Sequence, residues 1–232
     1  MSRVSLNLIA VTVFVFTLTS LLGPLVNLSP AVPAIATFSI LSLATLDTLG
    51  WQGRGITLLL DWLASFSKEH RDRIAHHEAG HFLVAHQLGI PVTGYALNAW
   101  EAFRQGYPGS GSVQFDTQEL EQELRQTALS AQLLNRYCTI WMAGIAAETL
   151  IYREVEGGSG DRQKLRGILT QLGFPAAECL QKERWAILQA KTLIQNHERE
   201  YKALVSAMKQ KATVEECRQA MATNPPEIGA ET

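Results

Sequence analysis

His77, Glu78, Ala79, Gly80 and His81 are the residues of this chain whose types and spacing spell out a reaction. On an α-helix, residues four apart lie one above the other on one face, so the two imidazoles can grip a single metal ion. Glu78 then stands beside that ion, where a carboxylate can take a proton from water. Two ring nitrogens, a neighbouring base and a helical frame are the parts of metal-assisted hydrolysis, with zinc (Zn2+) as the metal. The bland alternative is a polar helix face bearing two solvated histidines. The setting favours a helix that carries a site: Ile74, His77, His81 and Val84 keep helical spacing, with Phe82 and Ala85 beside them.

Gly89 supplies a stop for this helix before Pro91. Gly80 inside it is unusual, because glycine there costs roughly 1 kcal/mol against alanine, and a close backbone approach would explain it. His76 points about 100° away from His77, and His86 is five positions past His81. Both suit a supporting or surface role. A metal site also needs a third protein ligand, and a carboxylate from a separate helix is a common choice. Asp161, after the glycine run Gly157-Gly158-Ser159-Gly160, is one candidate, with helix N-capping as its plainer role. Glu148, in an Ala-Ala-Glu context, is the other.

The elements that must position these residues divide the chain sharply. No charged residue occurs from Val4 to Leu46, whereas the region after Lys68 is densely charged. About 19 apolar-dominated residues suffice to cross a bilayer, so Val4–Leu22 and Ala31–Leu49 read as a membrane hairpin filling residues 1–50. A cleaved signal peptide, with Arg3 as its basic start and Ala34-Ile35-Ala36 as its cleavage site, fits less well. Its apolar stretch is too long and more apolar sequence follows. Arg3 before the hairpin and Arg54, Lys68, Arg71 and Arg73 after it place both termini on the cytoplasmic or stromal side. Residues 51–73, with Trp51, Trp62 and the short apolar run Ile56–Phe66, read as an interfacial linker helix.

Residues 74–222 form the remaining domain, with 223–232 a disordered tail. Val92–Leu97 and Val113–Phe115 read as short strands, separated by a loop through Tyr107–Ser112, whose edge an extended peptide could join. Asp116 with Glu119 suggests a capping box. Helices are expected from Ser130 to Tyr152, small at Gly144, Ala146 and Ala147 for close packing, and from Pro175 to Lys211. His197 lies in the apolar stripe of the latter and reads as structural. Thr213 with Glu216 opens a last short helix. The fold class is therefore mainly α, with a small β element behind a transmembrane helical hairpin.

Composition bounds the partners. The 232 residues carry a formal net charge of −2, and no basic stripe with interleaved aromatics points to nucleic acid. Cys138, Cys179 and Cys217 are widely spaced and without a C-x-x-C pair, which argues against a disulfide framework and a thiolate metal site.

From about Ile74 to Gln219 the order of motifs resembles the peptidase domain of FtsH-type membrane zinc proteases. The pieces that carry the resemblance are His77-Glu78-Ala79-Gly80-His81, then Met142-Ala143-Gly144-Ile145-Ala146-Ala147-Glu148, then Gly158-Ser159-Gly160-Asp161. The resemblance implies that His77, His81 and Asp161 bind zinc, that Glu78 is the general base, and that the domain is a helical zincin-type peptidase. The chain departs from the family pattern in having no G-x-x-x-x-G-K-[ST] loop and only a short loop between the two apolar segments. In this it is similar to small ATPase-less relatives of cyanobacteria and plastids, which implies a plasma or thylakoid membrane location.

The expected function is zinc-dependent endopeptidase action on protein or peptide substrates, with an FtsH-type ATPase or a homo-oligomer as partner. The alternative is a non-catalytic FtsH-like membrane protein acting as scaffold of true proteases. His77–Ala85 also looks like the first motif of site-2-type intramembrane proteases. The charged run Lys68–Arg73 before it, and the lack of a later long apolar segment, weigh against that reading.

Overall fold

The computed structural model describes residues 3–23, 29, 31–50, 67–107, 112–125 and 129–225. It is mainly helical with one two-stranded sheet, and it divides into two compact units, Met1–Ser67 and Lys68–Thr232. The hairpin loop near Asn27, the segment Ile56–Phe66 with Trp51 and Trp62, the loop residues 108–111 and the tail from 226 lie outside the described residues.

The first unit holds helices α1 (Arg3–Leu22) and α2 (Ala31–Gly50). Hydroxyls on Thr17, Thr19 and Thr37 donate to the carbonyls of Val13, Val15 and Pro33, four residues back, so these side chains satisfy themselves within the helix. Apolar side chains such as Phe14, Ile35 and Phe38 are exposed. Among the described residues no helix is long and apolar enough to cross a membrane. That finding corrects two expectations, the transmembrane hairpin of the fold class and the two-span integral membrane localisation with both termini on one side. The physical reason is that a charge-free segment is not thereby apolar. Each helix is 20 residues long, but Thr12, Thr17, Thr19 and Ser20 interrupt α1 and Thr37, Ser39, Ser42 and Thr45 interrupt α2, whereas crossing about 30 Å of hydrocarbon needs about 20 predominantly apolar residues.

The second unit opens with α3 (Lys68–Gln87), which carries the histidine motif and includes Lys68–Arg73 as its first turns. It ends as the glycine signal implies. Gly89 adopts φ 70°, the Gly89 amide donates to the His86 carbonyl, and the Ile90 amide donates to that of Ala85. This pairing satisfies two carbonyls of the last turn. Strand β1 (Val92–Ala96) pairs antiparallel with β2 (Ser112–Phe115), Tyr95 opposite Val113, with an irregularity between Val92 and Gly94. Between them lies the short helix α4 (Ala99–Arg104), capped by Asn98. Helix α5 (Gln118–Arg125) follows. Asp116 accepts from the Gln118 amide at 3.0 Å, an arrangement that replaces the expected capping box with Glu119.

The apolar segment expected as one helix is two, α6 (Ala131–Trp141) and α7 (Ala143–Tyr152), parted at Met142. After α8 (Ser159–Gln171), the next long stretch is also divided, into α9 (Ala176–Asn196) and α10 (Glu198–Lys209) with His197 between them. Helix α11 (Val214–Ala222) has the reciprocal Thr213–Glu216 capping box its sequence suggests. The core gathers Phe82, Leu83, Tyr137, Ile140, Leu165, Tyr201, Leu204 and Met208 around α3, and the three cysteines are free and buried. Gly80 explains how closely α3 meets α7: a Cβ there would lie 2.6 Å from the Ala143 carbonyl oxygen and 2.8 Å from the Ala147 Cβ. Bulk at position 80 would force the two helices apart.

Candidate metal centre

α3 presents His77 and His81 on one face, and the first turn of α8 brings Asp161 to them. The Nε2 atoms of the two histidines are 3.1 Å apart. Asp161 Oδ2 lies 3.1 Å from His77 Nε2 and 3.5 Å from His81 Nε2. A tetrahedral zinc ion with bonds of about 2.0–2.2 Å separates its ligand atoms by roughly 3.3–3.6 Å. The triangle of donors is close to that size, so two nitrogens and one carboxylate oxygen fit one ion.

The remaining ring nitrogens set the tautomers. His81 Nδ1 donates to the Ile140 carbonyl at 2.7 Å. A carbonyl can only accept, so the proton of neutral His81 sits on Nδ1 and the lone pair on Nε2. Ile140 lies in the last turn of α6, where carbonyls lack helical partners, and the break at Met142 is what makes this one serve the site. His77 Nδ1 donates to Glu148 Oε1, also at 2.7 Å, which turns its Nε2 toward Asp161 and His81. Burial opposes charge on His77, but the carboxylates of Asp161 and Glu148 outweigh it and raise its pKa to about 10. A proton and a metal ion thus compete for the same Nε2 position.

Asp161 is the third residue of α8, and Gly158, at φ 78°, is the N-cap without any side-chain cap bond. The plainer role weighed for Asp161, helix capping, therefore does not describe its contacts. Burial pushes its carboxyl up, but His81 and His77 overcome this and hold it well below the usual carboxylate range. It is a committed anion facing the Nε2 atoms of both histidines.

Glu78 is 5% exposed and makes no hydrogen bond or ion pair among the described residues. No fully sealed side-chain oxygen or nitrogen there lacks a partner, so this unpartnered carboxylate keeps a path to solvent. Burial raises its pKa above the usual value, against the lowering effect of His77 and His81. A desolvated carboxylate without a donor is prepared to accept a proton.

The other histidines stand apart. His76 Nδ1 meets the Tyr201 hydroxyl at 3.0 Å, His86 is exposed, and His197 pairs with Glu200 at 3.1 Å. Glu148, the competing carboxylate, lies behind His77 rather than among the converging atoms. One residue escaped the sequence reading. Arg73, counted there only as flanking positive charge, is buried and shares the Glu148 carboxylate with His77. Its spacing of four residues before His77 was the available signal. Gly144 was read as a packing residue, yet a side chain there would overlap the His77 ring. No protein-family model matches the chain, and no curated protein matches it.

Proposed function

We propose that the chain is a zinc-dependent endopeptidase of the FtsH-like kind. The observation that carries this reading is the convergence of His77 Nε2, His81 Nε2 and Asp161 Oδ2 within 3.5 Å, next to the unpartnered carboxylate of Glu78. When bound there, zinc would supply a Lewis acid for a water molecule and a peptide carbonyl. His77 and His81 would hold the ion through their Nε2 atoms, aimed by the acceptors that fix their Nδ1–H groups, and Asp161 would offset part of its charge. Glu78 accepts the proton of the attacking water and returns it to the leaving amine. The β1–β2 pair packs beside α3, and an extended peptide is the substrate form a short sheet edge receives. A metal held for architecture alone would have no use for Glu78, which weighs against the non-catalytic scaffold.

The test joins metal content to cleavage of an unfolded protein substrate by the purified chain. The reading expects about one zinc per chain and zinc-dependent cleavage that Glu78→Gln removes. A wild-type chain that holds zinc but cleaves nothing would point to the scaffold, and one that takes up no zinc would overturn the metal centre itself.

A further inference from the structure

We propose that Arg73 is a positioning residue of this centre, acting through Glu148 on both His77 and the loop that leads to Asp161; the inference rests on the metal reading above. Arg73 stands four residues before His77 on the same face of α3 and is 9% exposed. Its Nη1 donates to Glu148 Oε2 at 3.2 Å and to the Glu154 carbonyl at 2.9 Å. Its Nε lies 3.7 Å from Glu156 Oε2, and the guanidinium sits 4.3 Å from the centroid of the Tyr152 ring.

Glu148, 1% exposed, collects the rest. While Oε1 accepts from His77 Nδ1, its carboxylate also accepts from the backbone amides of Glu156 at 2.9 Å and Gly157 at 3.2 Å. One buried anion therefore ties α3 to residues 156 and 157, Arg73 itself holds the Glu154 carbonyl, and Asp161 follows only four residues after Gly157. The space is closed around it, since a Cβ at Gly157 would lie 2.6 Å from Glu148 Oε1. A buried carboxylate that loses its cation is left uncompensated and turns toward other donors. Without Arg73, both the hydrogen bond that aims His77 and the course of the loop before α8 lose their anchor. Two of the three metal donors are thus set by one arginine. Lysine would keep the charge but not the planar fork that serves two acceptors while lying on an aromatic ring.

The experiment measures zinc affinity of the full chain by competition with a chromophoric chelator, using zinc alone as the probe. Arg73→Met should weaken zinc about 10–100-fold, the range for loss of a group that orients a metal-bound histidine. Arg73→Lys should fall between it and wild type. Arg166→Met, which removes a 2.8 Å ion pair to Glu183 away from the donors, should leave affinity unchanged. Combining Arg73→Met with Glu148→Gln should cost little more than Glu148→Gln alone, because one residue acts through the other. If Arg73→Met does not fold, Arg73→Lys decides the question by the same measure. Arg73 variants within twofold of wild type, or fully additive losses in the double variant, overturn this inference alone. A wild-type chain without zinc affinity overturns the metal reading and this inference with it.

Discussion

Glu78 is buried and Asp161 half-buried beside the same two histidines, and their surroundings shift the two carboxylates in opposite directions. Asp161 has its anion stabilised by His81 and His77, whereas Glu78 has no donor and a raised pKa. Glu78→Gln should therefore keep zinc stoichiometry and helical content while hydrolysis falls to background; undiminished cleavage would remove Glu78 from the mechanism. Asp161→Asn should lose zinc or bind it far more weakly with near-normal circular dichroism, since the amide keeps the shape but is a poor zinc ligand. Retained zinc in that variant would exclude Asp161 as the third donor. The neighbouring pair His77 and Glu148 sets a pH dependence for the metal-free protein. His77, at about 10 against an ordinary 6.5, contributes its stability fully below pH 6.5 and loses it as pH rises through about 10. Glu148, whose burial is outweighed by His77 and backbone donors so that its pKa is about 2, contributes fully above about 4.5 and loses its share as pH falls through about 2. Metal-free protein should be most stable between about pH 4.5 and 6.5. Zinc should flatten the alkaline side, because the ion replaces the proton on Nε2. Urea midpoints measured with and without zinc at pH 6 and pH 9 check this, and a metal-free midpoint that does not fall by pH 9 would contradict it.

Helix contacts decide what a glycine means. By helix propensity alone, Gly80→Ala should stabilise α3 by roughly 1 kcal/mol. The Ala143 carbonyl and Ala147 methyl stand in the way, and overpacking a tight contact costs about 1–3 kcal/mol. Packing wins, so Gly80→Ala should lower the melting temperature and weaken zinc binding as α3 and α7 separate. Gly167 in α8 is the converse: a Cβ there meets nothing within 4 Å, and Gly167→Ala should raise stability by about 0.5–1 kcal/mol. Thermal melts of the two variants should move in opposite directions. The broken helices carry a related lesson. Apolar periodicity runs through Met142, so nothing in the local pattern marks the end of α6, yet that end is what offers the Ile140 carbonyl to His81.

Over the whole molecule, every residue of the proposed centre belongs to the unit Lys68–Thr232, which has its own buried core. A chain beginning at Ser67 should accordingly take up zinc with the stoichiometry of the full chain and melt cooperatively. Failure to bind zinc while remaining folded would mean that residues 1–66 contribute to the centre.

His77, Glu78 and His81 could be read from the sequence because a helix places residues four apart on one face without help from the rest of the chain. The Gly89 stop and the Thr213–Glu216 cap were legible for the same reason, since each is settled within a few residues. The carboxylate partners were not open to that logic. Asp161 and Glu148 meet His77 across 84 and 71 residues of sequence, and which of them faces Nε2 and which Nδ1 depends on how α7 and α8 pack against α3. Residue types alone left the two as rivals. The burial of Arg73 was hidden likewise, because a charged residue in a charged stretch reads as solvated until a buried anion is found beside it. The charge-free N-terminal segment misled in the opposite direction: its lack of charge suggested membrane spans, whereas spanning needs a helix both long and apolar enough, which no described helix is. Local periodicity determined the donors on one helix, and only packing between distant segments decided how the centre closes around them.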